Sequence, residues 1–171
     1  MSAKLSLRQP DRASLMDVSL ETPRLTDGRE MWRIARDAKS LDLNSPYFYV
    51  MWCRDFATTS VVARSADGVC GYITGFARPE YPDTLFVWQT AVDAAQRGQG
   101  LARRMLHHLA GNRYRFVEAT VTPDNIESDR FLSAFARDRK AEVHRSPLLG
   151  PELFPVGHEP ETLYRIGPLG A

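Results

Sequence analysis

The stretch Arg97-Gly98-Gln99-Gly100-Leu101-Ala102 constrains this chain more than any other. It follows an apolar run at 85–92 and opens an amphipathic segment at 101–110, so it reads as a strand, a glycine-rich turn and a helix start. Such a junction is an anion site. Glycines admit a phosphate close to the backbone, the first N–H groups of the helix lack intrahelical partners, and the helix dipole favours negative charge there. Arg97 adds a countercharge. Other glycine-loop readings fit less well: an NTP-binding loop needs Gly-Lys-Ser/Thr, and no Lys follows Gly98 or Gly100 in the loop. A dinucleotide fingerprint needs glycine where Arg103 stands, and only Glu118 speaks for it. A plain surface turn with a helix cap is the remaining alternative.

With 171 residues, 43% hydrophobic and 25% charged, the chain suits one domain with a substantial core. We expect that domain over 19–171, after a flexible extension at 1–18. A net charge of +1 without a basic stripe argues against nucleic acid as the main partner. Arg137-Asp138-Arg139-Lys140 reads as a solvated helix end. Cys53 and Cys70 are the only cysteines, and their spacing suits a reduced compartment rather than a zinc site; Cys70 reads as core, and no metal is expected. The first residues lack the apolar block of a signal peptide and no segment approaches transmembrane length, so a cytoplasmic location without membrane contact is expected.

Along the chain, 19–22 reads as a short first strand, and Met31, Ile34, Ala35 and Ala38 fall at helical spacing after Asp27-Gly28. Ser45-Pro46 looks like a cap and first turn of a second helix reaching about Phe56. β-Rich runs at 60–63 and 69–77 flank Asp67-Gly68 as a hairpin, and 77–84, with Pro79 and Pro82, reads as a loop leading to the strand at 85–92. In 101–110 one face carries Ala102, Met105, Leu106 and Leu109, and the other carries Arg103, Arg104, His107 and His108, which reads as solvent-facing. A strand at 116–121 precedes a helix whose apolar side carries Ser128, Phe131, Leu132 and Phe135, with further strands at 142–145 and 162–166. This order implies an open mixed sheet with helices on both faces.

The glycine loop also matches Arg/Gln-x-x-Gly-x-Gly/Ala, the pyrophosphate signature of the GNAT acetyltransferases, and the chain resembles that family over about 19–166, including the Asn125-x-x-Ser128 helix opening. The resemblance implies an α/β (α+β) GNAT fold: a central mixed, mostly antiparallel twisted sheet of about six to seven strands flanked by about four helices. It implies acetyl-CoA as cosubstrate, with Ala91 and Val92 along the pantetheine and Asn125 at its end. Arg97, Gly98, Gln99, Gly100, Leu101 and Ala102 would surround the pyrophosphate. A strand N–H near Ala91 would stabilise the oxyanion. Many members carry a tyrosine, seven residues after that asparagine, which protonates the departing sulfur; this chain has Leu132. A thiol of pKa near ~8.5 leaves with modest help, so another donor or water is expected.

Four further segments carry a closer resemblance: Leu41-Asp42-Leu43-Asn44-Ser45-Pro46-Tyr47, Leu85-Phe86-Val87-Trp88-Gln89, Glu118-Ala119-Thr120-Val121-Thr122-Pro123-Asp124-Asn125 and Gly157-His158-Glu159-Pro160-Glu161. Together they are similar to the L-2,4-diaminobutyrate acetyltransferases of ectoine biosynthesis. That family implies a homodimer that acetylates the γ-amino group of a small diamino acid; direct transfer in a ternary complex is expected because no cysteine or serine carries a recognisable nucleophile context. Asp42 and Glu161 would engage amino groups, Tyr47 and Trp88 would shape the acceptor pocket, and His158 would lie nearby. A diamino acid calls for such carboxylates and aromatic walls.

Reaction at nitrogen needs a free lone pair, and an alkyl ammonium of pKa about 10.4 is only ~0.1% neutral at pH 7. Glu161, Asp42 or His158 could take the proton. The α-amino group loses its proton more readily, so γ-selectivity must come from position. A Cys53 acyl-enzyme is the alternative chemical route. A GNAT enzyme acting on another amine, or an acyl-CoA sensor without turnover, are the alternative functions.

Overall fold

A computed structural model of the chain describes residues 17–39, 41–155 and 157–170. The expected extension at 1–18 lies almost wholly outside the described residues; Val18 itself is buried in the core, and its carbonyl accepts from Arg104 Nη2 at 2.6 Å. The element order is β1 (Ser19–Glu21), α1 (Gly28–Ala38), α2 (Pro46–Asp55), β2 (Val61–Ser65), β3 (Gly68–Arg78), β4 (Tyr81–Val92), α3 (Leu101–Ala110), β5 (Phe116–Val121), α4 (Ile126–Asp138), β6 (Val143–Leu149) and β7 (Glu161–Ile166). The seven strands form one sheet in the order β1-β2-β3-β4-β5-β7-β6, antiparallel except for β4 and β5.

Each face of the sheet carries one helical layer. Met31, Ile34 and Ala35 of α1 and Tyr49 and Cys53 of α2 pack on Val62, Tyr72 and Ala91. On the opposite face, Leu101, Met105 and Leu106 of α3 and Leu132 and Phe135 of α4 cover Ile73, Leu85, Val87 and Val117. Both layers follow from apolar spacing of three and four residues along each helix. Ser45 caps α2 as its spacing predicts, accepting from the Phe48 N–H, and Asn125 caps α4 by accepting from the Ser128 N–H at 3.0 Å.

Several sequence expectations are corrected. Residues 77–84 are not a loop: β3 runs to Arg78, β4 starts at Tyr81, and Pro79-Glu80 form the whole turn. Pro82 is tolerated because β4 gains its second neighbour, β5, only from Thr84 onward. β6 likewise runs through Pro147, at the edge of the sheet. His107 is half-buried rather than solvent-facing, packed on the Phe135 ring and 2.9 Å from Asp138 Oδ2. At the end of α4, Arg139 is not freely solvated: its Nη2 donates to the carbonyls of Gly111 and Gly170.

The most consequential irregularity is in β4. Gly75 pairs with Val87 and Thr74 with Gln89, leaving Trp88 as an extra residue at a bulge. Strict alternation would put residues 85, 87, 89 and 91 on one face. The bulge switches the phase: Leu85 and Val87 face α3 and α4, whereas Ala91 packs with the α1 and α2 layer and Gln89 bonds to two of its tyrosines.

The two helices of that layer meet closely at Gly28, where an added Cβ would lie 2.9 Å from the Val50 backbone nitrogen. We expect Gly28→Ala to force α1 off α2 and to lower unfolding free energy by about 1–3 kcal/mol, measured by urea denaturation.

Candidate active site

Only three residue pairs hold β4 to β5: Thr84 with Phe116, Leu85 with Val117 and Phe86 with Glu118. Beyond them β4 follows β3 to Val92 and β5 follows β7 to Val121, so the sheet splays open. Two cavities occupy the splay. The first, of about 670 Å³, lies between the end of β4, the glycine loop and the N-termini of α3 and α4. The second, of about 640 Å³, lies between the middle of β4, the end of β5, the 41–44 loop and the 154–161 segment. They share a wall made by Leu41, Thr90, Thr122, Asp124, Asn125, Ser128 and Phe131.

The first cavity is shaped to take a phosphate. Gly98 and Gly100 hold φ of +75° and +76°, and a Cβ on either would meet nothing within 4 Å. Gly100 caps α3 without a side chain, so no capping oxygen competes for the first helical N–H groups. Arg97 is exposed, with Nε donating to the Val92 carbonyl at 3.1 Å, which seats the guanidinium where the strand ends. Asp93 accepts two hydrogen bonds from the Arg33 guanidinium, both 3.1 Å, bracing the start of the loop against α1. Ala91, Val92, Leu101, Ala102 and Asn125 also line this cavity. Gln99 does not; its amide donates back to the Ala95 carbonyl at 3.4 Å. Sequence reasoning missed Gln96, which is buried here with an Oε1 that has no hydrogen-bond partner among the described residues. The Arg97 to Ala102 spacing marked the loop, but nothing local marked Gln96.

The second cavity is acidic. Asp42, Asp124, Glu159 and Glu161 line it, and His158 is the one basic side chain among its described lining residues. Its aromatic wall is Trp88, which the bulge leaves 52% exposed and which packs at a tilt on Trp52 and Phe48. His158 stacks on Phe154 with ring centroids 3.8 Å apart, and its Nδ1 lies 2.6 Å from the Glu159 carbonyl. A carbonyl only accepts, so Nδ1 carries the proton and a neutral ring leaves its lone pair on Nε2. Tyr47 stands apart from the other acceptor residues: it is 72% exposed in the first turn of α2 and does not line the cavity. The buried face of α2 is set by Tyr49, Trp52 and Cys53, and two residues before Tyr49 is the opposite side of a helix. Gln89 is the acceptor-side residue that site assignment omitted. A polar side chain inside an apolar strand run was the available signal.

Two competing readings lose their support. Glu118, the residue that favoured a dinucleotide site, is buried between Arg78 Nη1, at 3.1 Å, and Arg165 Nη1. Cys53 lies in the α1 and α2 core with its Sγ 3.4 Å from Met31 Sδ, and burial, with a smaller push from the Asp27 charge, raises its thiol to about 11. A nucleophile must be a thiolate, and this one stays protonated at neutral pH. We expect a thiol reagent at pH 8 to leave Cys53 unlabelled in the folded protein and to label it on unfolding, read by mass spectrometry.

Residues 26–135 match the model of the Acetyltransferase (GNAT) family. The chain is 50% identical over 166 residues to an L-2,4-diaminobutyric acid acetyltransferase of Streptomyces coelicolor, covering 93% of this chain and 98% of the relative. It is 41% identical over 160 residues to the enzyme of the same description from Marinococcus halophilus, covering 91% and 92%. In structure it is similar to the diaminobutyrate acetyltransferase of Paenibacillus lautus, solved with L-2,4-diaminobutyric acid and coenzyme A, with a TM-score of 0.84, 39% identity and coverage of 90% and 96%. Ard1 of Thermoplasma volcanium, at 18% identity and a TM-score of 0.72 over 88% and 98% of the two chains, shares the fold alone. The chain belongs to the GNAT acetyltransferase family and, within it, to the L-2,4-diaminobutyric acid acetyltransferases.

Proposed function

We propose that this protein transfers the acetyl group of acetyl-CoA to the γ-amino group of L-2,4-diaminobutyrate, in a single ternary complex and as a step of ectoine biosynthesis. The observation that carries the reading is an acidic cavity, suited to a doubly cationic amine, that shares a wall with a glycine-loop groove suited to a pyrophosphate. The names of the relatives point to the same substrates. The single domain at 19–171, its homodimeric state and its cytoplasmic location belong to the same proposal, on the family resemblance; none of the described helices is long and apolar enough to cross a membrane.

Acetyl-CoA supplies an activated thioester. Gly98, Gly100 and the first N–H groups of α3 receive its pyrophosphate with Arg97 as countercharge, and Ala91, Val92 and Asn125 hold the pantetheine toward the shared wall. Asp42 and Glu161 hold the ammonium groups of the acceptor, and Trp88 bounds the space available to them. His158 Nε2 takes the proton that frees the attacking lone pair, directly or through water. Backbone N–H groups of β4 past the last β5 pair have no strand partner on that side, and those near Ala91 receive the charge developing on the carbonyl oxygen. Leu132 is buried and donates nothing, but Thr90 and Ser128 bring hydroxyls to the shared wall, enough for a leaving group of pKa near ~8.5.

The deciding assay is CoA release with L-2,4-diaminobutyrate, ornithine, lysine and spermidine, with the acetylated nitrogen assigned by NMR. Selective γ-acetylation of diaminobutyrate is expected; turnover of another amine in preference overturns the substrate, and binding of acetyl-CoA without turnover of any overturns the activity. Arg97→Glu should weaken acetyl-CoA binding by about tenfold or more, measured by calorimetry, because it replaces an attraction with a repulsion at the pyrophosphate. His158→Ala should lower kcat by about a hundredfold with the acetyl-CoA KM unchanged, as loss of a general base does.

A further inference from the structure

Gln89 is a buried amide with three of its four hydrogen-bonding directions in use. Its Oε1 accepts from the phenols of Tyr49, at 3.0 Å, and Tyr72, at 2.6 Å, and its Nε2 donates to the Asp42 backbone carbonyl at 3.0 Å. The orientation of the amide is fixed by chemistry: a peptide carbonyl only accepts, so the nitrogen faces Asp42 and the oxygen faces the phenols. Burial pushes the Tyr72 phenol well above its ordinary range, and the neighbouring Tyr49 adds to the shift, so Tyr72 keeps its proton to donate.

The bond to Asp42 spans from the sheet to an exposed loop. Residues 41–44 join α1 to α2 after Lys39, which holds a left-handed φ of 56°. Among the described residues, the Gln89 amide makes the one hydrogen bond that ties this loop to the sheet. Its anchor is rigid: Gln89 follows the Trp88 bulge, which turns it toward Tyr49 of α2 and Tyr72 of β3.

We propose that Gln89 is the positioning residue of the acceptor site: its amide holds the Asp42 loop against β4 and so sets where the acceptor ammonium sits relative to the Trp88 wall. This rests on the assignment of Asp42 to the acceptor. Position decides which of two amines reacts, so a loop carrying one of the anchoring carboxylates needs a fixed reference on the strand that bounds the reaction. Gln89 supplies it through the Asp42 backbone carbonyl.

The test uses Gln89→Glu, assayed at pH 8 to 9 to favour the carboxylate, which still accepts from both phenols and no longer donates to Asp42. The KM for diaminobutyrate should rise about tenfold, with the acetyl-CoA KM changing less than about twofold. Ile34→Val, a cavity in the same layer, should lower Tm while leaving both KM values unchanged. The double variant Gln89→Glu/Asp42→Ala should be no worse for the acceptor than Asp42→Ala alone, because the two act through one contact. If Gln89→Glu does not fold, Gln89→Met, uncharged and of equal length, is read in the same way. Parallel changes in both KM values, or an additive double variant, would make Gln89 a core residue only and overturn the proposal. An Asp42→Ala variant with a normal acceptor KM would instead overturn the assignment of Asp42.

Discussion

The shortness of the contact between β4 and β5 is the constraint on which the rest of the molecule depends. A sheet of otherwise antiparallel neighbours has one parallel joint, and that joint lasts three residue pairs before right-handed twist carries its strands apart. Strand backbone left without a partner is costly when dry, so the gap must face water or a ligand. The two helical layers close its sides without filling it. At its base Glu118 of β5, almost fully buried, is held by Arg78 from β3 and Arg165 from β7, so one carboxylate links both halves of the sheet where the strands are still paired. Loss of that carboxylate would leave two guanidinium groups facing each other across the joint.

The two ends of the opening differ in character. The first cavity has the backbone N–H groups of a helix start and Arg97, with Asp124 and Glu127 also on its lining; the second has Asp42, Glu159, Glu161 and His158, with Asp124 on the wall they share. In the proposed complex the pyrophosphate lies at the helix start and the acceptor ammonium among the carboxylates of the second cavity. The acidic end attracts the ammonium and also stabilises its unreactive form, so concentrating the acceptor and activating it are opposed tasks. The proposed division between carboxylates that hold and a His158 Nε2 that accepts would separate the two tasks.

What could be read from the sequence was whatever is encoded locally. Ser45-Pro46 and Asn125-x-x-Ser128 announce helix starts because a cap is a contact between neighbours, and the glycine loop announces itself because left-handed φ selects its residues. The α1 face followed from spacing, as did Met105 and Leu106 of α3, whereas Leu101 and Ala110 are buried there and Ala102 and Leu109 only partly. Features set by distant partners escaped. Pro82 reads as a strand breaker unless one knows that β5 joins β4 two residues later. His107 reads as surface until Phe135 of α4 is packed beneath it. The bulge at Trp88 is invisible because the register against β3 that makes it the spare residue is a property of two strands together. Within the site, Asp42, Trp88, His158 and Glu161 come together across three segments of chain, while Tyr47 falls outside by helical phase.

The bulge makes deletion and insertion at position 88 different events. Exchange of the indole alters one wall of a cavity and leaves the strand's accounting of sides intact. Removal of the residue would close the bulge: Gln89 would follow Val87 directly, Gly75 and Thr74 would keep their partners, and the amide and Ala91 would stay on the α1 side, whereas an added residue after Trp88 would turn both away. The bulge thus adds an exposed indole to one wall of the cavity without altering the side to which the register against β3 assigns the residues after it.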